Sequence, residues 1–80
     1  MLQIGNPKAK ILVERINGLD YEGVHFEVVG TPMGLTFKVS HNAESDAAAK
    51  SLMKKFIAEQ PECKNSFTNI HYIDENGKIL

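Results

Sequence analysis

Asn17-Gly18 constrains this chain more than any other pair, because it lies between two stretches that read as β-strands, Lys10–Ile16 and Leu19–Val29. Asn-Gly favours positive φ at both central positions of a two-residue type I′ hairpin turn. Such a turn sets the register of the strands it joins. Across it, Ile16 opposes Leu19, Arg15 opposes Asp20, Glu14 opposes Tyr21 and Ile11 opposes Val24. Alternation then assigns Ile11, Val13, Val24, Phe26 and Val28 to one sheet face. The other face receives Lys10, Leu12, Glu14, Tyr21, His25 and Glu27.

A second turn signal, Gly30-Thr31-Pro32-Met33-Gly34, leads into a third strand over Gly34–Ser40. With a four-residue loop at Thr31–Gly34, Phe37 falls opposite Val28 and Val39 opposite Phe26, on the same apolar face. Two turns thus agree on one division of the faces. Past Ser40 the period changes. Ala48, Ala49, Leu52, Met53 and Phe56 follow helical spacing, with Asn42 or Ser45 as N-cap and Pro61 as the stop. Phe67–Asp74 reads as a fourth strand, and Asn76-Gly77 offers a turn into a short fifth strand over Lys78–Leu80.

The expected architecture is therefore one α+β domain spanning residues 1–80. It is a three-stranded antiparallel meander, one helix packed on one sheet face, then a fourth strand: β-β-β-α-β, with sheet order 3-2-1-4. A helix crossing back over the apolar face would set the fourth strand parallel to the first. That order resembles, in topology, the first half of the ribonuclease H fold and its partial version in HicB-type antitoxins. The proline-glycine-cysteine stretch of HicB-type chains is missing here. The ribonuclease H resemblance implies carboxylates on the first strand, the helix and the fourth strand, for which Glu14, Glu44 or Asp46, and Asp74 are the candidates.

Charge and cysteine content narrow the function classes. Nine basic and ten acidic side chains leave a net charge of −1, without the basic excess of a nucleic-acid binder. Cys63 is the only cysteine, whereas secreted domains of this size usually carry several paired ones. Met1–Ala9 lacks the apolar core of a signal peptide, and no apolar run approaches the ~20 residues of a membrane span. A cytoplasmic protein is expected.

No chemistry-bearing motif emerges. His25, His41 and His71 lack metal-ligand spacing, so neither metal nor cofactor is expected. Cys63 has no base placed beside it, and the glycines at 30 and 34 open a strand where a phosphate loop would open a helix. The expectation is a non-catalytic binding or regulatory module that works through protein–protein contacts, by its sheet face or an edge strand, as a homodimer or with another protein. Leu12, Ile16, Leu19, Tyr21, His25 and Glu27 form its candidate surface, the first four making an apolar patch near the Asn-Gly turn. The alternative is a nucleic-acid-binding accessory protein using Lys38, Lys50, Lys54 and Lys55.

Overall fold

Ala9, Leu12, Val13 and Ile16 stand at i, i+3, i+4 and i+7, and in the computed structural model, which describes residues 1–80, they build a helix. This helix, α1 (Ala9–Ile16), buries Ala9, Leu12 and Ile16. The expected first strand at Lys10–Ile16 is therefore corrected. Helical periodicity on that segment outweighs the β-branched alternation of Ile11 and Val13, because the helix buries Ala9, Leu12 and Ile16 on one face. Asn17-Gly18 is the stop of α1, not a hairpin turn. Gly18 takes φ +78°, the left-handed conformation common just past a helix C-terminus, and the Asn17 N–H bonds to the Val13 carbonyl at 3.1 Å.

The hairpin turn is five residues further on. β2 (Leu19–Tyr21) and β3 (Val24–Met33) are joined by Glu22-Gly23, with Tyr21 paired to Val24. Both turn residues have positive φ, +48° and +82°, as a type I′ turn requires. β4 (Thr36–His41) completes the antiparallel meander. Its register with β3 sets Val28 opposite Val39 and Phe26 opposite His41, two residues from the expected pairing. Gly30, Thr31 and Pro32 bulge out between the Val29–Lys38 and Met33–Thr36 pairs. An even shift leaves every side chain on its expected face. Phe26, Phe37 and Val39 are buried, while His25, Glu27 and Lys38 point away from the core.

The sheet is α+β in class and has order β2-β3-β4-β1-β5, where β1 is Leu2–Gly5 and β5 is Asn69–Tyr72. The place between the meander and the last strand is filled by β1, from residues ahead of every expected strand. β1 pairs antiparallel with both neighbours, so the parallel crossover of the ribonuclease H arrangement is not formed. The second helix, α2 (Asp46–Ala58), starts at Ser45, whose Oγ accepts from the Ala48 N–H at 3.1 Å. It ends ahead of Pro61. Both helices contribute to one core with Leu2, Ile4, Phe26, Phe37, Val39 and Ile70 from the sheet, and no helix is long and apolar enough to cross a membrane. After β5, Ile73 bridges Ile79 and the Leu80 N–H reaches the Tyr72 carbonyl at 2.9 Å, so Asn76-Gly77 closes a short C-terminal hairpin.

Candidate functional site

The helix at residues 9–16 redistributes the candidate surface. Leu12 and Ile16 are fully buried between α1 and the sheet, so they cannot belong to an exposed patch. Leu19 is half-buried against the same core. Tyr21 lies on the helix-covered face: its ring meets Phe56 edge-on at 5.3 Å, and its hydroxyl donates to Glu59 Oε1 at 2.6 Å. That bond to a carboxylate pushes the phenol up to about 12. Only His25 and Glu27 reach the open sheet face.

There, His25 bridges two carboxylates. Its Nε2 lies 2.8 Å from Glu27 Oε1 and its Nδ1 2.8 Å from Asp20 Oδ1. The pair to Glu27, then that to Asp20, raises the imidazole above its ordinary value. A raised folded-state value means that the stabilisation is full below the unfolded histidine value and is lost as pH climbs through the folded one. NMR titration of His25 is expected to give a value above the ordinary histidine range, and Glu27→Gln to move it down. An unshifted His25 in the native chain would contradict this bridge.

The other histidines lie elsewhere. His41, at the end of β4, accepts the Ala43 N–H on Nδ1 at 3.1 Å, so Nε2 carries the proton it shares with Asp46 at 2.7 Å. This bond and one from the N-terminal ammonium hold the Asp46 carboxyl below the usual range. Both anchor the start of α2. His71 is exposed on β5, and no cluster of metal-ligating side chains forms. Cys63 is buried, and burial pushes its thiol up, away from the thiolate a nucleophile needs.

Of the four alternative lysines, Lys50 and Lys54 stand one turn apart on α2, while Lys38 lies on the open sheet face. Lys55 pairs with Glu22 at 2.7 Å, and Lys50 lies over the Tyr72 ring at 5.3 Å. Lys38 is beside Gly77, and Lys54 lines a cleft near Lys64.

Large apolar side chains are most exposed at two places: Ile79 and Leu80 in the C-terminal hairpin, and a group of three at the opposite end of the sheet from His41. Met33, Leu35 and Phe67 are 77%, 57% and 74% exposed. Leu35 and Phe67 line one shallow cleft of about 260 Å³ with Pro7. Met33 lines the neighbouring cleft, and Thr36 stands between the two. Gly34 at φ +60° makes the tight Gly34-Leu35 turn that displays Leu35.

Asn6 builds this end. It is buried, and three segments meet on it. Its N–H donates to the Leu35 carbonyl at 3.0 Å, and its Nδ2 donates to Thr68 Oγ1 at 2.8 Å. Its Oδ1 accepts the Lys8 N–H at 2.7 Å and its carbonyl accepts the Ala9 N–H at 3.0 Å, starting α1. Leu35, Phe67 and Pro7 are thereby held in fixed relation. The signal for this role was Asn6-Pro7 itself, a capping residue followed by proline ahead of a helical apolar pattern. Comparison with protein-family models, curated proteins and solved structures finds no match to this chain.

Proposed function

We propose that this chain is a small non-catalytic binding module, working in a reducing compartment such as the cytoplasm, that associates with a second copy of itself through its apolar end. The observation that carries this reading is the exposure of Met33, Leu35 and Phe67 in two adjoining clefts at one end of the sheet. Three large side chains exposed to that degree amount to roughly 400 Å², within the ~300–600 Å² at which the largest patch on a monomer is often functional. The patch-forming side chains carry no charge, so a two-fold axis can bring the patch against its own copy without like-charge repulsion. A net charge of −1 adds little long-range repulsion. Two such patches with their polar rims approach ~1,000 Å², the lower limit of a specific interface, which implies a weak, concentration-dependent dimer.

Sedimentation equilibrium tests this. The wild type is expected to fit a monomer–dimer equilibrium, and the double substitution Leu35→Ser with Phe67→Ser to remain monomeric. Both side chains are exposed, so the variant is expected to keep its fold. A wild type that stays monomeric into the millimolar range overturns the proposal.

A further inference from the structure

Between the second half of α2 and the segment entering β5 lies a cleft of about 150 Å³ whose polar lining comes from Lys54, Lys64, Ser66 and Thr68. All four groups can donate hydrogen bonds, and no carboxylate lines the cleft. Neither lysine takes part in an ion pair. The nearest acidic neighbour in sequence, Glu62, is engaged by Arg15 through both carboxylate oxygens. Thr68 Oγ1 accepts from Asn6 Nδ2 at 2.8 Å, which leaves its own hydroxyl proton free to donate.

Two features that would repel an anion here are weakened. Cys63, also in the lining, is buried and keeps its proton because desolvation pushes its thiol up. Near the end of α2 the carbonyls of Lys55, Phe56 and Ile57 are taken by the N–H groups of Glu59 and Gln60, and the Gln60 side-chain amide adds a second bond to Phe56, which leaves the Ala58 carbonyl as the one free acceptor of this last turn.

We infer that this cleft binds a phosphate group, with the Lys54 and Lys64 ammonium groups supplying charge and the Ser66 and Thr68 hydroxyls supplying directed donors. The group reaches it either as a free phosphate or as the backbone of a nucleic acid. Lys50 distinguishes these sources. It stands one turn before Lys54 on α2 but is drawn over Tyr72, outside the cleft lining. A single phosphate would not meet it, whereas an extended polyanion running along α2 would.

The test is an NMR amide titration with inorganic phosphate, and in parallel with a short single-stranded RNA, at matched ionic strength against chloride. Saturable shifts centred on Lys64, Ser66 and Thr68 are expected, weakened several-fold by Lys54→Gln or Lys64→Gln and by Thr68→Val. The exposed lysine variants retain the fold, so a lost response there reads as lost binding. RNA binding tighter than phosphate and weakened by Lys50→Gln supports the inference with nucleic acid as the source. Phosphate shifts indifferent to Lys50→Gln, with RNA no tighter, support it with a free phosphate as the source. Absence of saturable shifts with both ligands, or shifts unchanged in Lys54→Gln and Lys64→Gln, overturns it.

Discussion

Leu12→Ala is expected to lower the free energy of unfolding by about 2–5 kcal/mol, the usual cost of truncating a buried leucine. Leu12 is fully buried at the centre of α1, between Ala9 and Ile16 on the same helical face. Its side chain packs into a core shared with both helices and four strands of the sheet. For a chain of this length, with roughly 5–15 kcal/mol of stability in total, that loss is a large fraction. Urea denaturation followed by circular dichroism measures it. Glu14→Ala on the exposed side of the same helix is the control, expected within ~0.5 kcal/mol of the native chain. If Leu12→Ala costs no more than Glu14→Ala, residue 12 is at the surface and the helical assignment of this segment is wrong.

Asn6→Ala is expected to cost about 2–3 kcal/mol, more than one hydrogen bond is usually worth. The reason is that alanine removes two part-buried hydrogen bonds at once: the Lys8 N–H loses its acceptor and Thr68 Oγ1 loses its donor. The loss should be local as well as global, because Asn6 ties β1, the β3–β4 turn and the entry to β5 together. Faster amide exchange at Lys8 is the accompanying signature. Thr68→Val separates the contributions, since it leaves the Asn6 acceptor for Lys8 in place and removes only the Asn6–Thr68 bond. A change under ~0.5 kcal/mol for Asn6→Ala would mean that the apolar end holds its shape without this residue.

The two halves of the chain were unequally legible in the sequence, for physical reasons. From Val24 to Ala58, face assignments and element types follow from local pattern. β3 and β4 alternate cleanly, Ser45 caps α2, and Pro61 closes the segment that follows it. The pairing register there was displaced by the bulge at Gly30–Pro32, yet a shift of two residues changes no face. Residues 2–23 read differently because Asn-Gly serves two geometries that both need positive φ at glycine: a type I′ turn and the end of a helix. The deciding signal lay upstream, in Asn6-Pro7 followed by Ala9, Leu12, Val13 and Ile16. The true hairpin turn carries Glu22 at its first position, held at φ +48° although glutamate has no preference for it. No residue-type rule points there.

The candidate surface was misplaced for the same reason. Leu12 and Ile16 joined it only because strand alternation sent them outward; a helix sends them inward. Leu19 and Tyr21 were misplaced because the expected strand Leu19–Val29 is broken by the turn at Glu22-Gly23, whereas His25 and Glu27, beyond that turn, do face outward. Met33, Leu35 and Phe67 were not singled out because they come from two turns distant in sequence. The pairing of β1 with both β4 and β5, reinforced by the Asn6 hydrogen bonds, brings them to one end of the sheet.

Association through that end is tested most directly by intermolecular contacts in a mixed sample, one half isotope-labelled and the other not. An isotope-filtered nuclear Overhauser experiment should show the Phe67 ring of one copy against the Met33 methyl or Leu35 methyls of another. Intermolecular signals confined to a different surface, such as the β2 edge or α2, would contradict the account, as would none at concentrations where the chain sediments as a dimer.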